Sequence, residues 1–240
     1  MKSLSSAFDL AAPGYIKHAD IQRYSAKALS AWLPRIGTQK MLEVGAGPGV
    51  FTEYLLPWKD TLLVTDLSHQ MCKVGKIKYP HLTWKSMDAT SPVSGPWDLI
   101  CSSSMLQWSE DPKALFFKWK KVMASKGRIL GSLYIEGSIK EWGDVSKIKA
   151  PFKWRTDRDF RHCFLSAGFK CIRDEVETKQ LLYPSAIAAL KSIHHLGASP
   201  KPSVGAGKLR RLMKEYERRS GSSLGVPLTW VIYRFEASLD

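Results

Sequence analysis

The stretch "MLEVGAGPGVFTEYL", residues 41–55, decides how this chain is read. Met41, Leu42 and Val44 surround one acid, Glu43, in a short strand-like run. Gly45, Gly47 and Gly49 then alternate before a helix-compatible segment begins. A strand that turns through glycines into a helix aims backbone N–H groups and a helix N-terminus at the carboxyl edge of a sheet, the crevice where open α/β folds bind ligands. Glycine is needed there because a Cβ would hold a ligand off the backbone and resist the tight turn. A pattern of this kind usually wraps a nucleotide; as a bare connection it would be only a strand-to-helix turn.

Outward from this loop, apolar runs recur at "KMLEV", "TLLVT", "LTWKS", "WDLICSS" and "RILGSLY", separated by helix-length segments at 50–57, 68–78 and 111–123. Strands alternating with helices predict a parallel sheet with right-handed crossovers and helices on both faces. Before the first strand, Ile21, Ala28, Leu29 and Trp32 fall at helical spacing, so residues 19–33 are expected to form a helix. Residues 135–155 mix charge, glycine and proline without a period and read as a loop-rich insertion. A helix over 157–167, capped by Thr156 and stopped by Gly168, precedes a strand at 169–176. Another helix is expected from Ser185 to Gly197, then a surface loop over 197–208, a helix over 208–219 with Leu209, Leu212, Met213 and Tyr216 on one face, and a closing strand "PLTWVIYRFEAS". The "GAGK" of that loop is not a phosphate-binding loop, since Pro202 and Leu209 stand where glycine and a hydroxyl residue are required. The expected fold is a Rossmann-like α/β domain with a seven-stranded, mostly parallel sheet, an N-terminal lid helix and small helical insertions. It spans 1–240 as one unit: lid helices over 1–38, a cofactor-binding half over 39–134, and substrate-side insertions with the C-terminal strands over 135–240.

Of the 240 residues, 44% are hydrophobic, enough for a buried core, and 36 Lys and Arg against 22 Asp and Glu leave a net charge of +14. That excess implies an acidic or polyanionic partner. Cys72, Cys101, Cys163 and Cys171 form no CxxC pair and no zinc-like cluster with histidine, so reduced thiols and no metal are expected. "MKSLSSAFDLAAPG" lacks the apolar centre of a signal peptide and no run suits a bilayer span, which makes a cytoplasmic location the expectation.

The ligand is narrowed by the acids that follow the loop. The strict alternation of glycines differs from the G-x-G-x-x-G of dinucleotide folds, and Glu43 would repel a diphosphate while suiting an ammonium group. "LLVTDLS" ends in Asp66, 17 residues beyond Gly49, where a carboxylate can accept both hydroxyls of a ribose. "KSMDAT" carries Asp88, placed to accept from an adenine amino group. This combination resembles the class I S-adenosylmethionine-dependent methyltransferases. The resemblance implies S-adenosylmethionine as cofactor, held by Glu43, Gly45, Gly47, Gly49, Asp66, Leu67, Asp88, Ala89, Ser102 and Tyr15.

Flanking segments narrow the acceptor. "SSSM" after the fourth strand lacks the proline-rich aromatic tetrad that cradles a flipped base, and Cys101 ends an apolar strand, as a core residue does. "YIKHADIQRYSAKAL", "SMLQW", "EGSIKEW", "YPSAIAALKSIHHLGAS" and "PLTWVIY", in that order, resemble the malonyl-acyl-carrier-protein O-methyltransferases of biotin synthesis over about residues 13–237. That resemblance implies methylation of the free carboxyl of a malonyl thioester. A carboxylate is already nucleophilic at neutral pH, so no catalytic base is expected; alignment and desolvation suffice. A cation must hold the carboxylate, with Lys153, Arg155 and Lys191 as candidates. Tyr15 and His18 would form a lid, and Gln107 and Trp108 would lie near the methyl group. Lys208, Arg210, Arg211 and Lys214, joined by Arg158 and Arg161, would receive an acidic acyl carrier protein. The chain is expected to act as a monomer, without a membrane or nucleic-acid partner. The alternatives are an RNA or small-molecule methyltransferase of the same fold, or a cofactor-binding scaffold.

Overall fold

The computed structural model describes residues 2–147, 152–195 and 205–240, and the side chains from residue 5 to 147, 152 to 193 and 205 to 240. Its elements in chain order are α1 (Lys2–Ala11), a 3-10 segment (Ala12–His18), α2 (Asp20–Ser30), β1 (Met41–Val44), α3 (Thr52–Leu55), β2 (Leu62–Asp66), α4 (His69–Lys78), β3 (Thr83–Ser86), β4 (Trp97–Ser103) and α5 (Pro112–Lys120). The second half holds β5 (Met123–Tyr134), α6 (Lys140–Ser146), α7 (Asp157–Ser166), β6 (Lys170–Tyr183), α8 (Ala186–His195), α9 (Ala206–Ser220) and β7 (Val226–Ser238).

One seven-stranded sheet has the order β3-β2-β1-β4-β5-β7-β6. β1 to β5 run parallel, and β7 is antiparallel to both β5 and β6. Order reverses at β1, with β2 on one side and β4 on the other. This is the switch point at which the carboxyl edge of a doubly wound sheet opens a crevice. All four residues of β1 are buried, as a central parallel strand covered on both faces requires.

Two apolar layers sandwich the sheet. On one face Leu29, Phe51, Leu55 and Trp58 cover Met41, Val64, Leu99 and Leu130. On the other, Phe116, Trp119, Phe160 and Phe164 cover Leu42, Ile100, Ile129 and Phe235. Phe116 meets Trp119, Phe164 and Phe235 edge to face, with centroids 5.8, 6.1 and 6.0 Å apart. α6, α8 and α9 form a separate cluster against Val226 through Trp142, Ala186, Ala189 and Tyr216.

Several boundaries differ from the sequence reading. The 135–155 insertion contains α6, which begins after Ile139 and ends at Lys147, both in the left-handed region at φ 49° and 54°. β6 extends to Tyr183 rather than 176, because all but one of its residues pair with β7 along its length. β5 starts at Met123, five residues before the expected run. α1 precedes the helix expected at 19–33. The expected stop at Gly197 and most of the 197–208 loop lie outside the described residues. Thr156 caps α7 as expected, within a capping box completed by Asp159.

Candidate functional site

A cavity of about 1370 Å³ opens at the carboxyl edge of β1, β2 and β4, roofed by α1 and the 3-10 segment that follows it. At its base lies the glycine loop, where Gly45, Gly47 and Gly49 all take positive φ, at 73°, 57° and 91°. The three glycines do different work. A Cβ on Gly45 would strike Met105 at 2.3 Å, and one on Gly49 would strike Tyr79 at 2.7 Å. At Gly47 the nearest atom outside the loop is Cε1 of Tyr15, 3.9 Å away, so the space above that glycine is open to the cavity. Gly49 does not line the cavity. Its place in the expected binding set is corrected to a packing role against Tyr79.

Glu43 is buried at the cavity wall, with Oε2 accepting from Thr52 Oγ1 at 2.7 Å and Oε1 lacking a hydrogen-bond partner among the described residues. Burial pushes its carboxyl up to about 8, against the opposing Thr52 hydrogen bond. Asp66 accepts from the backbone N–H of Gly47 at 2.7 Å and of Ser68 at 2.8 Å, which pins the loop to the end of β2. Its carboxyl is raised to about 6, again mainly by burial. Each Asp66 oxygen keeps a second lone-pair direction for another donor. Asp88 Oδ1 accepts from the N–H and hydroxyl of Thr90, and Oδ2 makes no hydrogen bond with the described residues. Leu67, Asp88, Ala89 and Tyr15 all line the cavity. Burial, then the nearby Asp66, raises the Tyr15 phenol above its ordinary range, keeping it a neutral hydroxyl.

Ser102 is also corrected. It is fully buried, its hydroxyl has no partner among the described residues, and Ser103 and Ser104 line the cavity in its stead. Neighbouring strand residues face opposite sides of a sheet, so an assignment off by one lands on the wrong face.

The other end of the cavity is aromatic and cationic. Trp108 meets Phe8 of α1 at 5.2 Å and Phe152 at 4.8 Å, and Phe152 meets Trp154 at 4.6 Å. Lys153 and Arg155 both line this end. Arg155 donates to the carbonyls of Ser109 at 2.9 Å and Glu110 at 2.5 Å, so its guanidinium already ties two loops together. Lys153 makes no hydrogen bond or ion pair with the described residues. Lys191 is exposed on α8 and does not line the cavity, which removes it from the expected cations. His18 is likewise absent from the wall. Gln107 lines only a small adjoining recess, with Nε2 donating to Ser104 O at 2.7 Å.

Sequence reasoning missed Phe8, Gln22, Lys118 and Phe152, all cavity-lining. For α1 a signal existed: Leu4, Ala7 and Phe8 fall at i, i+3 and i+4, the spacing of one helical face. α1 is tied down through Asp9 Oδ1, which accepts from the Ser68 hydroxyl at 2.5 Å while Ser68 Oγ accepts from Met71 N–H as the cap of α4. On α9, Lys208, Arg210, Arg211 and Lys214 are exposed and without ion pairs among the described residues, whereas Arg218 and Arg219 pair with Glu215. Arg161 is paired with Asp174. Among the described residues no three His, Cys, Asp or Glu side chains gather as metal ligands, and no helix is long and apolar enough to cross a membrane.

Residues 42–131 match the family described as a methyltransferase domain. The chain is similar to a malonyl-[acyl-carrier protein] O-methyltransferase of Marinomonas sp., 24% identical over 249 residues that cover 96% of this chain and 91% of the relative. An enzyme of the same name from Enterobacter lignolyticus is also 24% identical, with 97% and 95% covered. Among solved structures, a putative methyltransferase from Bacillus halodurans superposes with a TM-score of 0.67 at 13% identity, covering 90% of this chain and 98% of its own.

Proposed function

We propose that this class I methyltransferase uses S-adenosylmethionine to methylate the free carboxyl of a malonyl group carried as a thioester on acyl carrier protein. The observation that carries the proposal is the polarity of one continuous cavity. Asp66, the buried Glu43 and an open glycine face one end; aromatic rings and Lys153, which has no hydrogen bond or ion pair among the described residues, face the other, with Glu110 and Asp111 at its rim. The relatives named for malonyl-carrier-protein methylation align over nearly the whole chain and point the same way.

The residues present fit the cofactor. Glu43 carries a buried carboxyl oxygen without a partner among the described residues, suited to an ammonium group, whose charge would favour ionising the carboxyl. The bare Cα of Gly47 lets a ligand approach the backbone, Asp66 retains acceptor capacity for ribose hydroxyls, and Asp88 for an adenine amino group. When bound, S-adenosylmethionine supplies an electrophilic methyl group on a sulfonium. Proton abstraction is not required of the protein, since the acceptor carboxylate is ionised at neutral pH. Among the described residues no histidine lines the cavity; Glu110 at its rim is exposed, and Asp111 beside it is engaged as the cap of α5. Lys153 would hold the carboxylate, because burying that charge unpaired is costly. Trp108, Phe152 and Trp154 would exclude water and align the acceptor.

The test is transfer of labelled methyl from S-adenosylmethionine to malonyl-carrier protein, malonyl-coenzyme A, acetyl-coenzyme A and bulk RNA. Labelling of malonyl thioesters with acetyl inert is expected. Equal labelling of acetyl and malonyl would overturn the carboxylate mechanism, and labelling of RNA alone would overturn the acceptor.

A further inference from the structure

Gly143 stands inside α6 and on the wall of the cavity, and nothing within the chain calls for a glycine there. Its backbone is helical with no positive φ, a conformation open to most residues, and a Cβ placed on it would meet no atom within 4 Å. Glycine is less favourable than alanine in a helix interior, because its backbone loses more freedom on folding. Gly14, Gly205 and Gly207 are equally open, but none of them lines the cavity.

α6 belongs to the aromatic and cationic end. The N–H of Glu136, in the turn that leads into α6, donates to Arg155 O at 2.9 Å and so ties that turn to the segment bearing Phe152, Lys153 and Trp154. β7 holds the start of the helix: Ile139 N–H donates to Thr229 O at 2.6 Å, and Glu141 accepts from the N–H of Thr229 at 3.1 Å and from its hydroxyl. Trp142 and Val145 of α6 pack with α8 and α9, Trp142 meeting the Tyr216 ring at 5.9 Å. The helix thus joins the cavity wall to α9, which carries Lys208, Arg210, Arg211 and Lys214.

The cavity itself is large. Its volume of about 1370 Å³ exceeds the roughly 300–1,000 Å³ of ordinary small-molecule sites, which leaves room for a long second ligand beside a cofactor. The pantetheine arm shared by carrier protein and coenzyme A is such a ligand, thin and uncharged along most of its length. We infer that Gly143 marks the track of this arm: the arm passes over the bare Cα, with the acyl carboxyl ahead of it toward Lys153 and the carrier behind it toward α9. A side chain at position 143 would stand in that track. The identity of the arm rests on the malonyl-thioester reading; an occupied track over Gly143 does not.

Two measurements test it. Gly143→Leu is expected to melt cooperatively and to bind S-adenosylmethionine as the wild type does in calorimetry. Its KM for malonyl-coenzyme A should rise at least about tenfold with kcat changed far less, the split produced when binding alone is lost to crowding. An unchanged KM overturns the inference, and so does a loss of cofactor affinity, which would assign the space to the cofactor. If the leucine variant does not melt cooperatively, Gly143→Ala gives the same comparison with a smaller rise in KM, and a higher melting temperature than the wild type. The second readout needs no methyl transfer. Gly143→Cys, mixed with carrier protein whose arm thiol is capped as a 2-pyridyl disulfide, should form a mixed disulfide and release pyridine-2-thione faster than the wild type or Gly14→Cys, whose added thiol is open but off the cavity. Equal rates for the two cysteine variants overturn the inference. Selective capture by an enzyme that methylates no malonyl thioester would keep the track and overturn the malonyl reading; malonyl methylation without selective capture would do the reverse.

Discussion

Gly45, Gly47 and Gly49 look equivalent in sequence, yet only Gly47 faces open space. Gly47→Val is therefore expected to abolish S-adenosylmethionine binding in calorimetry while the melting transition stays cooperative. Gly49→Val should chiefly lower stability, since its side chain enters the Tyr79 ring. Asp66→Ala should weaken cofactor binding by roughly 1–3 kcal/mol. Glu43 makes a pH prediction. Its carboxyl is raised from 4.5 to about 8 in the folded chain, so the native state holds a proton that the unfolded state releases. The stability that follows from this is complete below the unfolded value and is lost as pH rises through the folded one. Asp66, raised to about 6, behaves likewise in a lower window. The ligand-free wild type should thus lose more melting temperature between about pH 6.5 and about pH 8.5 than Glu43→Gln does; equal losses would remove Glu43 as the cause. The sequence made these acids and glycines legible because their chemistry is local to the loop. It could not separate Gly49 from Gly47, or Ser102 from Ser103, because those distinctions depend on which neighbour covers each position.

At the level of elements, legibility followed the hydrophobic period. β1, β2, β4 and α7 were readable because burial on the sheet or a capping box leaves a mark in the sequence. α6 has no side-chain N-cap, left-handed Ile139 standing at that position, and its C-terminal end is closed by Lys147 rather than by a glycine, so propensity alone could not raise it from the surrounding loop. The far half of β6, "ETKQLLY", has four polar residues followed by three apolar ones rather than a strand alternation, and exists because β7 supplies its ladder. α1 is held to the first turn of α4 through Asp9, which accepts from the Ser68 hydroxyl and the Gln70 N–H, and Phe8 of α1 meets Trp108. Asp9→Ala leaves the Ser68 cap intact and should speed cofactor release severalfold in stopped-flow measurements with little change in melting temperature. An unaltered release rate would mean that the helix does not act as a roof. In the core, Trp119 is fully buried and Trp119→Ala should cost about 3–5 kcal/mol of stability by denaturant titration.

Across the whole molecule, the charge of +14 is unevenly committed. The cations of α9 at Lys208, Arg210, Arg211 and Lys214 face solvent without partners among the described residues. Reversing Lys208 and Arg211 to Glu should lower the association rate with malonyl-carrier protein about tenfold at low salt, as rim charges govern encounter. Turnover of malonyl-coenzyme A should barely change; an equal fall for both substrates would refute a docking role. The sheet order has a further consequence. β7 lies between β5 and β6, so β6 leaves the ribosome before the strand that joins it to the rest of the sheet exists. About forty residues separate Tyr183 from Val226, a delay of a few seconds at synthesis rates of about 5–20 residues per second. For that interval a nascent chain leaves the β5 edge and both sides of β6 unpaired, and depends on the charges along β6 to discourage pairing with other chains.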